Sequence, residues 1–258
     1  MNRVFFLFKK LKNMKQEMSL YTQNDKLVWK TLFERQKENL KGKACPEYLL
    51  ALDEMKDVLN AETIPNFNEI DKWFENRTAW KIEVVPGLIP VDDFFELLAQ
   101  KKFCSSTWLR KMEQLDYLEE PDMFHDIFGH IPLLSNALFS DFMQKFGKLG
   151  VAAKGDDEQI LKLQRLYWFT IEFGMIGSDD PKIYGAGICS SFGETNRSIN
   201  KTISKVQYEL EKVVNSEFRT DIVQEYYFCV DSLNQLLDSL KEFNEQVNIN
   251  NLSHELGN

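Results

Sequence analysis

A mainly helical, single-domain fold with one small β element is what this sequence predicts. Three observations carry that prediction. Apolar residues recur at helical spacing in most of the chain, extended patterns are few and short, and no linker or repeat divides the middle of the sequence. In order, Tyr48, Leu52, Met55 and Leu59 mark a first amphipathic helix. "WKIEVVPGL" alternates Trp80, Ile82 and Val84 before a Pro-Gly turn and reads as a short strand. Phe139, Phe142, Met143 and Phe146 mark a second helix; Ile160, Leu163, Tyr167 and Ile171 mark a third. "KIYGAGICSSF" reads as a short extended piece loosened by Gly185 and Gly187. Val206, Leu210, Val213 and Val214 form a further helical stripe, and Leu233, Leu236, Leu237 and Leu240 a last one. Each stripe is read as core.

Composition limits the function. With 258 residues, 43% hydrophobic, and 20 Phe, the chain can bury a sizeable core. The net charge of −9 argues against nucleic acid as a partner, because neutralising phosphates takes a basic face. The first 16 residues run the other way, with five basic and no acidic residues; the remainder holds 26 basic against 40 acidic, a net −14. The apolar run Val4 to Phe8 is too short to span a bilayer, and no small-residue cleavage site follows it. The expected organisation is a disordered basic extension over 1–18, one main domain over 19–245 and a polar tail over 246–258, with His254 a solvated tail histidine. Cys45, Cys104, Cys189 and Cys229 are scattered, without a CxxC pair, which suits free thiols in a reducing, cytoplasmic setting. Stable membrane insertion is not expected.

The chemistry concentrates in "EEPDMFHDIFGH", which contains His125 and His130, two of only three histidines. Residues five apart lie about 140° apart on an α-helix, so both imidazoles cannot reach one ion from a regular helix. Gly129 and Pro132 suggest a helix that ends before His130, so that the chain swings the second imidazole back. Ile127 and Phe128 then point into protein. Glu172, in the apolar run "YWFTIEFGMIG", is the candidate third ligand, because a carboxylate buried there needs a cation or a partner. The other reading of Glu172 is a helix-end carboxylate facing water or an Arg. Two histidines and a carboxylate suit non-haem Fe(II) oxygenases. Zinc hydrolases use the same ligand types, so this set leaves the metal open.

"EEPDMFHDIFGHIPLLSN", followed by "LYWFTIEFG" and "YGAGICSSFGE", resembles the aromatic amino acid hydroxylases, most of all the short bacterial phenylalanine 4-hydroxylases. The resemblance runs from about residue 21 to 240 and includes "VVPGLIPVDDFFELLA" and "TWLRKMEQLDYLEEPD". It implies a fold, the catalytic domain of that family alone, and a reaction, conversion of L-phenylalanine to L-tyrosine with O2 and a tetrahydropterin at a non-haem Fe(II). By the same resemblance His125, His130 and Glu172 are the iron ligands. Arg110 takes the substrate carboxylate, Asp122 holds that Arg, and Ser190 also reaches the substrate. Pro121, Trp168, Phe173 and Gly187 line the slot for the aromatic ring, with the face of His125. Gly87, Ile89 and Phe94 form the pterin loop, with Tyr167 and Asp126 near the cofactor. Asp126 stands where the animal enzymes have Glu, and Leu118 where they place a substrate-binding Thr, so both contacts are altered. Glu194 resembles a carboxylate that orients ligands from behind. Other readings stay open: a family member preferring Trp or Tyr, a zinc hydrolase recruiting Asp126 or Glu194, or a non-catalytic helical binding protein. With no tetramerisation helix in sight, a monomer is the expectation.

Overall fold

The structure is a computed structural model that describes residues 14–116, 118 and 120–256, with side chains up to 245. Residues 1–13 of the expected basic extension lie outside the described residues. Within the remainder of that extension, Gln16 is docked rather than free. Its amide donates to Pro65 O (2.9 Å) and accepts from Phe67 N (2.9 Å).

Helix α1 (Gln23–Asn39) starts at a reciprocal cap: Thr22 Oγ1 accepts from Asp25 N while Asp25 Oδ2 accepts from Thr22 N. Helices α2 (Pro46–Glu54) and α3 (Phe67–Glu75) follow. Met55 and Leu59 of the first predicted stripe are buried in the turns after α2. Strand β1 (Lys81–Val84) falls where the Trp80 alternation places it, and pairs in parallel with β2 (Lys102–Ser105) across α4 (Val91–Ala99). Parallel strands need such a crossover, and it leaves both C-terminal strand ends on one side. From that side emerge the Val85–Pro90 loop and the segment running to Arg110.

Helix α5 (Ala137–Ala152) packs along α4 so closely that a Cβ at Gly147 would lie 2.4 Å from Ala99 N. Helix α6 (Asp157–Tyr167) is capped by Asp156, whose side chain accepts from Gln159 N. A four-stranded sheet in the order β4-β3-β6-β5 joins β3 (Met175–Ile176), β4 (Lys182–Ile183), β5 (Ser204–Gln207) and β6 (Tyr226–Val230). The extended reading of "KIYGAGICSSF" holds only for β4, because α7 (Ala186–Cys189) and α8 (Phe192–Ser198) follow. Val206 belongs to β5, not to the helix α9 (Leu210–Asn215) that buries Leu210, Val213 and Val214. A strand that alternates and then turns into a helix mimics one continuous helical stripe. Helix α10 (Leu233–Leu256) runs through the expected tail boundary at 245; the side chain of His254 lies outside the described side chains. Among the described residues no helix is long and apolar enough to cross a membrane, and the four cysteines are unpaired.

Candidate active site

The sequence reading of the histidine pair needs one correction. The helix does not end at Gly129. His125–His130 is a π-helical turn, and in i→i+5 hydrogen bonding residues five apart return to the same side. That is how both imidazoles reach one point without a chain reversal. Gly129 serves a different purpose: a Cβ there would meet Ala186 O at 2.8 Å, so its absence lets α7 lie against the π-turn. Ile127 and Phe128 are fully buried, as expected. Phe128 packs edge-on against Phe33 at 5.2 Å, and its carbonyl accepts from the Tyr48 hydroxyl at 2.5 Å. The core side of the turn is thus anchored to α1 and α2.

Glu172 ends a second π-turn, Trp168–Glu172, that continues α6. Glu172 is buried, and so is His130. His130 Nε2 lies 3.1 Å from Glu172 Oε1 and 3.2 Å from His125 Nε2, and His125 Nε2 lies 3.6 Å from Glu172 Oε2. Both imidazole nitrogens and the two carboxylate oxygens thus converge, and one ligand atom from each of the three residues could hold a single metal ion. Ligands about 2.1 Å from an ion at octahedral angles stand about 3.0 Å apart, so the observed spacing fits one face of such a site. Burial opposes ionisation of Glu172, yet the imidazoles of His130 and His125 outweigh it and hold the carboxyl down at about 2. Burial in turn drives His125 down to about 4, favouring the neutral imidazole that a metal requires.

The hydrogen-bond network also sets the tautomer of His125. Ser190 Oγ donates its one proton to Ala186 O (2.8 Å), so at 2.9 Å it accepts from His125 Nδ1–H. The Nε2 lone pair is left facing the ligand triangle. Replacing Ser190 with Ala is therefore expected to weaken metal affinity about 10- to 100-fold while the fold persists. Titration with limiting Fe(II) or Co(II) checks this, and an unchanged affinity would remove Ser190 from the orienting role.

The substrate-side residues also assemble. Asp122, fully buried, accepts from Arg110 Nε (2.9 Å) and Nη2 (2.8 Å), from Arg110 N (2.9 Å) and from His125 N (3.1 Å). One carboxylate thus ties the guanidinium to the start of the ligand-bearing turn. The rings of Trp168 and Phe173 stand 4.7 Å apart. A Cβ at Gly187 would come within 2.9 Å of Phe173 Cζ and 3.1 Å of Glu172 Oε2, so α7 closes directly over the carboxylate. Half-buried Pro121 precedes Asp122 at the same edge.

On the other side, Gly87 has φ of +154° in the loop after β1, a conformation that favours glycine, and half-buried Ile89 follows it. Phe94 meets Tyr167 edge-on at 5.3 Å, and Tyr167 stacks 6.3 Å from His130. Asp126 turns toward the end of β2, accepting from Ser106 N at 2.9 Å; burial raises its pKa to about 8. Phe103 of β2 lies 4.6 Å from His130 and was not singled out from the sequence, because a four-residue strand carries too little periodicity. The carboxylate of Glu194 accepts from Tyr227 Oη (2.5 Å) and Gln224 N (3.2 Å).

A mainly helical domain that brings two imidazoles and one carboxylate together offers the donor set that mononuclear non-haem Fe(II) oxygenases use. The chain matches the family described as biopterin-dependent aromatic amino acid hydroxylase over residues 3–253, and it belongs to that family. It is 42% identical over 226 residues to the phenylalanine-4-hydroxylase of Chromobacterium violaceum, covering 87% of this chain and 75% of that protein. It is also similar to the crystal structure of the Chromobacterium violaceum enzyme with iron(III) and oxidised 7,8-dihydrobiopterin, with a TM-score of 0.85 at 41% identity over 91% of this chain and 86% of that one. The iron- and phenylalanine-bound structure of the same enzyme gives a TM-score of 0.82 at 40% identity, over 88% and 82%.

Proposed function

We propose that this protein is a phenylalanine 4-hydroxylase that converts L-phenylalanine to L-tyrosine with O2 and a tetrahydropterin, at one Fe(II) held by His125, His130 and Glu172. The observation that carries the reading is the convergence of His125 Nε2, His130 Nε2 and the Glu172 carboxylate, with 3.1 to 3.6 Å between neighbouring ligand atoms. When bound, iron and the reduced pterin supply O2 activation and the electrons for hydroxylating the ring.

The chain's own groups bind, orient and exclude water. Arg110 offers its planar fork to the substrate α-carboxylate, and Asp122 fixes the direction of that fork. Ser190 holds the ring of His125, whose face borders the substrate slot with Pro121, Trp168, Phe173 and Gly187. A planar apolar slot suits a phenyl ring and disfavours water. Gly87, Ile89 and Phe94 receive the pterin, with Tyr167 and Asp126 at its iron side. The same reading places a monomeric protein in the cytoplasm. The neighbouring carboxylates do not decide the zinc-hydrolase alternative: Glu194 bonds to Tyr227 and Gln224, while Asp126 accepts one hydrogen bond from Ser106 and keeps an oxygen able to take a proton, so the metal itself is the test.

The test is turnover after anaerobic reconstitution with Fe(II) or Zn(II), then tetrahydropterin and O2, with Phe, Tyr and Trp offered separately. Iron-dependent formation of tyrosine from Phe is the expected result. Product only from Tyr or Trp would keep the chemistry and correct the substrate. Turnover with zinc, or none with any substrate, would defeat the reading.

A further inference from the structure

Behind Trp168 runs a buried hydrogen-bond chain that joins α8 and β6 to the proposed substrate slot. Trp168 Nε1–H donates to Gln224 Oε1 at 3.1 Å. Gln224 lies between α9 and β6, is 6% exposed, and is itself held at both backbone groups. Its N–H donates to Glu194 Oε1 (3.2 Å), and its carbonyl accepts from Arg197 Nε (2.7 Å). The other oxygen of Glu194 accepts from the Tyr227 hydroxyl at 2.5 Å. The indole also packs against the tilted ring of Phe173 at 4.7 Å and stacks with Phe218 at 5.1 Å.

These contacts divide the work. The two aromatic neighbours bury the indole, but ring contacts of this kind tolerate tilting and sliding. The terminal torsion of a Trp side chain has a broad well, so packing alone leaves the orientation loosely set. The directional bond from Nε1 to a buried glutamine whose backbone is pinned at both polar groups selects one orientation. The side-chain hydrogen bonds of Glu194, Arg197 and Tyr227 in this chain go to Gln224 and to one another, so that Glu194 acts on Gln224 rather than on a metal ligand.

We infer that Gln224 is a positioning residue that sets which aromatic ring the slot accepts, by locking the indole of Trp168 from behind, with Glu194, Tyr227 and Arg197 locking Gln224 in turn. This rests on the reading of Trp168 as a wall of the substrate slot. The consequence is a fixed slot width suited to a six-membered ring. Freeing the indole misplaces Phe and admits the larger indole of a Trp substrate.

The experiment is a double-mutant cycle on the iron-loaded enzyme, with Phe and Trp as substrates. Wild-type turnover of Phe is measured first. Its absence defeats the functional reading rather than this inference. Gln224→Met keeps the side-chain length and removes the acceptor. We expect it to raise the KM for Phe about tenfold and to raise the Trp-to-Phe ratio of kcat/KM by a similar factor, the scale of a methylene-sized misfit in an apolar pocket. Iron content and the KM for pterin should stay at their wild-type values. In a Trp168→Phe background, which has no indole N–H, adding Gln224→Met should change neither quantity further. An unchanged KM and ratio in Gln224→Met, or the full effect surviving in the Trp168→Phe background, would overturn the inference. Should Gln224→Met fail to fold, Tyr227→Phe tests the outer link. A rise of about threefold in the KM for Phe, with iron retained, supports the chain, and no change refutes it.

Discussion

Glu172→Gln is expected to abolish iron retention and to leave less than about 1% of turnover, since even partners that only orient a metal ligand are worth about 10- to 100-fold. Glu172 supplies the one anionic oxygen pair in the triangle, 3.1 Å from His130 Nε2 and 3.6 Å from His125 Nε2. Two neutral imidazoles alone hold a dication weakly, and a glutamine carbonyl brings no charge. Thermal unfolding gives a readout that does not depend on catalysis. Fe(II) or Co(II) at a hundred times its dissociation constant should stabilise the parent protein by about 2.7 kcal/mol, and the variant not at all. A metal-dependent shift of equal size in Glu172→Gln would remove Glu172 from the ligand set. Loss of turnover with the shift intact would instead assign Glu172 a role after metal binding.

The helical stripes were legible because a single periodicity ran through them: Phe139, Phe142, Met143 and Phe146 are all buried in α5, and Leu233, Leu236 and Leu240 in α10. The strand at Lys81–Val84 was legible for the same reason, from its alternation and the Pro-Gly turn after it. Partners of the site that are close only in space were not. The ligand types at His125, His130 and Glu172 could be read as a set, but their geometry could not. A π-turn has no sequence signature of its own, and i, i+5 spacing argues against an α-helical face. Gly129 looked like a helix stop, whereas the reason for it is the approach of Ala186 from a segment more than fifty residues away. The hydrogen-bond partners of Glu194, Tyr227 and Gln224, lie some thirty residues further along the chain and could not be paired with it from the sequence. Val206 shows the opposite error, in which a strand and the helix after it happen to align into one apparent stripe.

The second large effect is expected at Asp122, where substrate binding and fold stability share one side chain. Oδ2 accepts from Arg110 N and Nε, and Oδ1 accepts from Arg110 Nη2 and His125 N. Asp122→Asn would turn an amide NH2 toward two of these donors and leave a guanidinium only 7% exposed without its counter-charge. Breaking a buried pair by removing one partner costs about 3–5 kcal/mol, which for a domain of this size lowers Tm on the order of 10 °C. The freed guanidinium also loses its direction, so the KM for Phe should rise about 100-fold. Metal affinity should fall by less, because His125 loses one backbone partner but keeps Ser190. Arg110→Lys separates the two roles. It keeps a cation beside Asp122 and gives up the planar fork, so the KM for Phe should rise with a much smaller loss of Tm. Thermal unfolding and steady-state kinetics on the same preparations decide the matter. A normal Tm in Asp122→Asn would mean that water compensates the pair, and a normal KM would mean that the substrate carboxylate is met by a group other than Arg110.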